Sequence, residues 1–360
     1  MPSFDIAVIG AGIAGLNAAN ILHKAGHRVQ VFEKSRGLGG RLATRRTDVG
    51  IFNHGAQFAT ARHPDFIRYL EQGVKAGIAQ HWRPEKWQDG SDNETSALVP
   101  TGSLARDENS GRAETWYRGH PAMNNLVSAL NTGFTIHRNV RIARIAPVSR
   151  NRFELLSHPV TLQQANPLSH GVFDGIIVAI PAPQSAEILM PLSPRFDVLD
   201  DVEIAPCWAV MLAFAPSNPI PYDVFASPDP AIAWIGRNPN GNTAAGNGEY
   251  TRWTIHASVE WSREHLEDKA SNVAETIHDL AHHVFKKAGI TLPQPVLKQA
   301  HRWRYARTTR PLGQSHIASA DGRIIAAGDW CMGARIEAAY QSGESAAHAI
   351  MTSLQTPWLG

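Results

Sequence analysis

Gly10, Gly12 and Gly15 form a G-x-G-x-x-G turn, and Glu33 follows Gly15 by 18 residues. Residues of these types at this spacing can hold a dinucleotide. Gly10 permits a tight turn, Gly12 lets a pyrophosphate approach the backbone, and Gly15 lets a helix pack close to a strand. The carboxylate of Glu33 can accept hydrogen bonds from adenosine ribose hydroxyls. It also disfavours a 2′-phosphate, so the nucleotide is expected to be NAD or FAD rather than NADP. Ser35-Arg36-Gly37-Leu38-Gly39-Gly40-Arg41 adds a second glycine cluster with two arginines, suited to further phosphate contacts.

The elements that must position these groups are legible around them. Phe4 to Ile9 is a β-type run, Leu16 to Ala25 has helical apolar spacing, and Arg28 to Phe32 is a second β-type run. Together they make a βαβ unit whose helix N-terminus faces the phosphates. Near the other end, the apolar run Arg323 to Ala327 leads into Gly328-Asp329-Trp330 and then a small-residue helix from about Ala334 to Thr352. That arrangement suits the second half of a long nucleotide. Asp329 can accept from ribityl hydroxyls, and the amide-rich helix start near Gly333 can face electronegative ring atoms.

The middle of the chain reads differently. Ile204 to Phe214, Asp223 to Ala226, Ile232 to Gly236 and Thr251 to Val259 are short strand candidates separated by turns, which predicts a largely antiparallel sheet. Helices are expected over Pro64 to Ala76, from His120 to about Leu130, and in one piece over Arg263 to Ala288. Val172 to Ala179 reads as one buried strand, and Val160 to Gln164 as a further strand with no burial assigned. Asp89 to Asn93 and Thr101 to Gly111 read as loops or short hairpins, and Asn238 to Gly248 as a long polar loop. Alternation over Pro295 to Ala306 places Gln299, His301, Trp303 and Tyr305 on one face and Arg302 with Arg304 on the other. His278 and His282 are four apart on a helix, but no third ligand accompanies them, so no metal site is expected.

Composition limits the alternatives. The 360 residues suffice for two domains, and 43% hydrophobic against 18% charged residues describes an ordered globular chain. A net charge of +2 from 34 basic and 32 acidic residues gives no reason to expect nucleic acid as a partner. Two cysteines, Cys207 and Cys331, suggest neither a disulfide framework nor a metal cluster. The N-terminus lacks signal-peptide features and no apolar run of 18 residues occurs, so a cytoplasmic protein off the membrane is expected, as a monomer or homodimer.

The glycine turn with Glu33, the Gly37–Arg41 stretch and the segment Gly328-Asp329-Trp330 to Ser342-Gly343 together resemble the FAD-dependent amine oxidoreductase superfamily. Within it, His54-Gly55-Ala56-Gln57-Phe58, Thr60-Ala61-Arg62 and His301 to Ala306 resemble bacterial renalase-like proteins. The resemblance implies an α/β architecture: a three-layer ββα Rossmann-like FAD domain with an antiparallel α+β substrate domain. It assigns residues 1–60, 120–190 and 305–352 to the former and 61–119 with 191–304 to the latter. It implies non-covalent FAD held by Gly10, Gly12, Ile13, Ala14, Gly15, Glu33, Lys34, Gly40, Arg41, Val140, Asp329, Arg335, Ile336 and Glu337. The implied reaction oxidises 2- or 6-dihydro-NAD(P) to NAD(P)+ by hydride transfer to flavin N5, with dioxygen reduced to hydrogen peroxide. Such chemistry needs stacking surfaces more than acid–base groups. Trp303 and Tyr305 are therefore the pocket-wall candidates, with His301, Gln57, Phe58 and Trp234 beside them. A nicotinamide-dependent dehydrogenase, an amine oxidase, a monooxygenase, a carotenoid-type desaturase and a non-catalytic flavoprotein are the competing readings.

Overall fold

The computed structural model describes residues 2–88, 115–149, 151–158, 167–216, 220–239 and 250–355. The expected strand over Val160–Gln164 and the expected loops at 89–93, 101–111 and most of 238–248 fall outside them. The chain forms two compact units: residues 1–40, 127–204 and 308–360 make one, and residues 41–126 and 205–307 the other. The division differs from the expected one at 41–60, 120–126, 191–204 and 305–307. Residues 41–60 go with the second unit because Asn53 N donates to Asn238 Oδ1 at 2.8 Å and Arg252 donates to the Val49 carbonyl at 3.2 Å.

The first unit is built on a six-stranded sheet in the order Ile317–Ala318, Ile324–Ala326, Gly175–Val178, Asp5–Ile9, Arg28–Glu33, Thr135–Arg138. All neighbours are parallel except the first pair. Ile6 to Val8 and Ile176 to Val178 are wholly buried, as strands covered on both faces must be. One face carries the antiparallel sheet Ile142–Ser149, Arg152–Ser157, Leu168–Phe173, whose Ile145, Leu155 and Phe173 share a core with Phe32, Ile176 and Trp330. The helices Ile13–Lys24 and Ile336–Gln355 complete the three layers. They approach so closely that a Cβ at Gly343 would overlap the Ala14 carbonyl.

The second unit holds an antiparallel sheet ordered Leu297–Arg310, Glu203–Phe214, Thr251–Ala257, Ile232–Arg237, Val224–Phe225, with Lys86–Trp87 added in parallel at the edge. Val273, Ile277, Ala281 and Phe285 of the helix Ala270–Lys287 pack on Trp208, Leu212, Trp253 and Ile255. A smaller sheet pairs Ala59–Thr60 and Ala79–Trp82 with Trp116–Gly119.

Three elements differ from expectation. The single helix over Arg263 to Ala288 is two, Val259–Glu264 and Ala270–Lys287. Arg302 draws the Leu266 carbonyl out at 2.6 Å, and Arg302 and Arg304 share the Glu267 carboxylate at 2.9 and 2.7 Å. The expected strand over Val172 to Ala179 breaks at Asp174 into two strands of different sheets, Leu168–Phe173 and Gly175–Val178. There Asp174 N donates to the Asp5 carbonyl at 2.8 Å while its carboxylate accepts from Asp5 N at 2.9 Å. The helix expected from His120 is the 3-10 segment Met123–Leu130.

Candidate functional site

In the first unit the sequence places two glycine segments together. Gly10 adopts φ 103° and donates to the Phe32 carbonyl at 2.8 Å. A Cβ at Gly10 would fall 2.8 Å from Ile180 Cγ2, and one at Gly15 would overlap the Gly10 carbonyl. Gly12 is the reverse case: a Cβ there would meet nothing within 4 Å. Gly12 also caps the helix Ile13–Lys24 with no side-chain hydrogen bond and no acid in the first turn, which holds the buried Ile13 and Ala14. This helix start offers N–H groups and a partial positive charge beside open space, the geometry a pyrophosphate needs.

Glu33 is 7% exposed, and each carboxylate oxygen accepts one backbone N–H: Ala11 at 2.9 Å and Ser35 at 2.7 Å. These bonds fix the carboxylate and leave lone pairs for hydroxyl donors. The Glu33 carbonyl accepts from Val140 N at 3.0 Å. Gly39 donates to the Ala11 carbonyl at 2.8 Å, and a Cβ on Gly40 would lie 3.4 Å from Gly12 Cα, so the second glycine cluster lies on the first turn. Lys34 points away and reaches Gln184 Oε1 at 3.3 Å on the surface. Asp329 is 7% exposed; its carboxylate accepts from Thr308 Oγ1 at 3.1 Å and its carbonyl from Gly333 N at 2.7 Å. Arg335 and Glu337 pair at 3.0 Å beside Ile336, the first residue of the last helix. A buried acid, an open Gly333 at φ 144° and a helix start fit a second set of nucleotide contacts. Arg41 falls in the second unit, where it donates to the Ala306 carbonyl at 3.2 Å.

Cys331 is wholly buried, and burial pushes its thiol up to about 12. A thiol so held is a poor nucleophile, which fits a cofactor that is not covalently attached.

In the second unit the six pocket candidates divide between two clusters. His301 and Trp303 meet His54: ring centroids are 4.7 Å apart for His54–His301, 5.3 Å for His54–Trp303 and 4.7 Å for His301–Trp303. Trp303 Nε1 donates to the His54 carbonyl at 2.9 Å, and His256 Nε2 lies 3.3 Å from the same oxygen. Burial drives His54 down to about 3, helped by the charges of His301, Arg45 and His256, and drives His256 down to about 4. His301 is lowered by burial and then by Arg45, whose Nη2 lies 3.4 Å from its Nδ1. All three rings are therefore neutral near pH 7. Tyr305 shares the strand face of His301 and Trp303 by alternation and is partly buried.

Gln57, Phe58 and Trp234 belong elsewhere. Phe58 stacks on Trp116 at 4.1 Å and 5°, with Trp234 at 5.3 Å and Trp82 at 5.9 Å. Gln57 is buried, its side-chain amide donating to the Asn53 carbonyl and its own carbonyl accepting from Arg118 Nε at 3.2 Å. Sequence reading named His54 only as part of the His54–Phe58 motif and gave no role to Arg45, His256 or Arg118. Periodicity marks His256 only as a strand residue and does not mark Arg118 at all, and what they face depends on partners far along the chain. Among the described residues no group of three His, Cys, Asp or Glu side chains could hold a metal, and no helix is long and apolar enough to cross a membrane.

A family model for flavin containing amine oxidoreductases matches residues 91–351, and one for NAD(P)-binding Rossmann-like domains matches residues 8–72. The chain belongs to the flavin-containing amine oxidoreductase family. Its cofactor is FAD, and its class is that of FAD-dependent oxidoreductases. An L-amino-acid oxidase of Echis ocellatus is 55% identical over 42 residues, which are 12% of this chain and 8% of that protein. One from Crotalus adamanteus is 37% identical over 67 residues, 19% of this chain and 13% of that protein. The matched stretches are thus a small part of these relatives. Among solved structures, cyclohexylamine oxidase from Brevibacterium oxydans IH-35A shares the fold at a TM-score of 0.68 and 15% identity, over 99% of this chain and 100% of that one. In this family member the glycine turns and Glu33 would hold the adenosine and pyrophosphate of FAD, and Asp329 with the last helix its other half.

Proposed function

We propose that this flavoprotein is a renalase-like oxidase that takes hydride from 2- or 6-dihydronicotinamide nucleotides and returns NAD(P)+. The observation that supports the reading is the cluster of His54, His301 and Trp303, three rings within 5.3 Å of one another with the histidines held neutral. A dihydropyridine becomes a cation as it gives up hydride and releases no proton in that step. It needs a flat partner and no general base. The face of Trp303 stabilises a developing cation, whereas a protonated imidazole beside it would oppose one. His301 can orient a ring amide or ribose hydroxyl, and Arg45 supplies positive charge for a phosphate-bearing donor. When bound, FAD supplies a two-electron acceptor that dioxygen can reoxidise. The residues 41–126 and 205–307 act on this reading as the substrate unit.

The test is anaerobic mixing of the FAD-loaded protein with 2- and 6-dihydro-NAD, ordinary β-NADH, amines and L-amino acids. Rapid flavin bleaching by the isomers alone is expected. Bleaching by amines or L-amino acids but not by the isomers would replace the reading with oxidative deamination. Bleaching by none of them would leave a binding flavoprotein.

A further inference from the structure

The first unit has a cavity of about 450 Å³ at the open edge of its six-stranded sheet, lined by Arg195, Gln314, His316, Ile317 and Ala318. Ile317–Ala318 is the edge strand. Ser319 N donates to the Ile324 carbonyl at 2.8 Å, in register with the pairs Ile317–Ala326 and Ala318–Ile325. Bonded and unbonded pairs alternate along an antiparallel ladder, so Ala318 turns its N–H and its carbonyl away from the sheet. The strand is only half-buried, which leaves both groups open to the cavity. Arg195 stands at the start of the 3-10 segment Pro194–Asp201, exposed, and its guanidinium has no acceptor among the described residues. Phe196 and Leu199 of that segment belong to the core on which Leu312 and Ile317 pack, and this holds the arginine beside the edge strand.

His316 is fixed from behind. Its Nδ1 lies 2.9 Å from Ser345 Oγ and 3.3 Å from Ser315 Oγ, and the two hydroxyls are 2.8 Å apart. Neither serine lines the cavity, so the ring meets it with its other edge, where Nε2 sits. Burial lowers the pKa of His316, which keeps the ring neutral near pH 7 and lets Nε2 donate or accept according to tautomer. The Gln314 amide is likewise both donor and acceptor. The described lining residues include no carboxylate. The cavity therefore offers one cation, an outward backbone N–H, two groups that serve either way, and one outward carbonyl that needs a donor.

We propose that this cavity binds a phosphoryl group that brings a hydroxyl with it, as inorganic phosphate or as a small sugar phosphate. Two phosphate oxygens suit the planar guanidinium fork of Arg195, and the Ala318 N–H and His316 Nε2 serve the others. The hydroxyl answers the Ala318 carbonyl. Inorganic phosphate keeps an O–H near pH 7 and a sugar phosphate has hydroxyls on its body, whereas sulfate has acceptors only. A phosphate ion fills a small part of the cavity, whose size is that of a site for a whole small molecule. The assignment concerns residues of the first unit alone and holds whichever donor reduces the flavin.

Calorimetric titration of the FAD-loaded protein at pH 7, in a phosphate-free buffer, with sodium phosphate, ribose 5-phosphate and sodium sulfate tests it. Phosphate or ribose 5-phosphate is expected to bind at least tenfold more tightly than sulfate, and the tighter of the two identifies the source of the phosphoryl group. Arg195→Met should weaken that ligand at least tenfold, with Arg195→Lys in between, while the melting temperature and FAD content report that both variants are folded. No binding of either phosphate compound at millimolar concentration, or sulfate bound as tightly as both, would overturn the proposal without any variant. Unchanged affinity in folded Arg195→Met would overturn it too, by placing the bound phosphate elsewhere on the chain.

Discussion

A methyl group at Gly12 and one at Gly15 should have opposite consequences. At Gly12, with ordinary φ of −75° and nothing within 4 Å of a Cβ, the chain tolerates alanine and the cofactor does not. Gly12→Ala should leave the melting temperature of the apoprotein nearly unchanged and weaken FAD by about tenfold or more, roughly 1.4 kcal/mol, in a titration of apoprotein. At Gly15 the methyl meets the Gly10 carbonyl, so Gly15→Ala should lower the stability of the apoprotein itself, by about 1–3 kcal/mol in urea unfolding. Histidine burial gives a second residue-scale outcome. His54 and His256 titrate near 3 and 4 when folded, against about 6.5 in an unfolded chain. Between those values the unfolded chain binds more protons, so stability is fully present above about pH 6.5 and is lost as pH falls. Each ring contributes a slope of about 1.4 kcal/mol per pH unit across that window. Melting curves from pH 7 to pH 4 should show a steep decline, shallower in His54→Gln; a flat profile would contradict neutral burial. At this scale the glycines and Glu33 were legible because a phosphate site demands particular residue types at fixed spacing. His54 was not, since its place depends on His301 and Trp303, some 250 residues away.

Elements were legible where one period dominated. Asp5–Ile9 follows from the continuous apolar run Ile6 to Ile9, Arg28–Glu33 from its alternating Val29 and Val31, and the helix Pro64–Lys75 from its apolar spacing. The break between Glu264 and Ala270 was hidden because Arg302 and Arg304, which hold Leu266 and Glu267, come from a strand read separately. The last helix shows a different conflict between local and tertiary preference. Alanine is a better helix former than glycine by about 1 kcal/mol. At position 343, however, its methyl would overlap the Ala14 carbonyl of the neighbouring helix. Gly343→Ala is therefore expected to destabilise by about 1–3 kcal/mol in denaturant unfolding, the overlap outweighing propensity. A stabilised variant would show that the two helices can separate at no cost.

At the scale of the whole chain, the first unit is assembled from three separated segments, ending with Thr308–Gly360. The strand Gly175–Val178 pairs with Asp5–Ile9 on one side and with Ile324–Ala326 on the other. Ending the chain after residue 310 removes that last strand and the helix Ile336–Gln355. The product should retain no FAD on gel filtration, even though Gly10 to Glu33 are all present. The two-unit division was legible from the change of pattern in mid-chain, but its boundaries were not, because residues 41–53 bond to partners near 238 and 252. The close contact at Gly343 also has a consequence for synthesis. The phosphate-binding turn is synthesised long before the helix that packs on it, since Ala14 gains that neighbour only when residue 343 emerges. At about 5–20 residues per second that interval is tens of seconds. Cofactor capture therefore waits for the helix Ile336–Gln355, and a shortage of FAD should act only on chains in which that helix has been made.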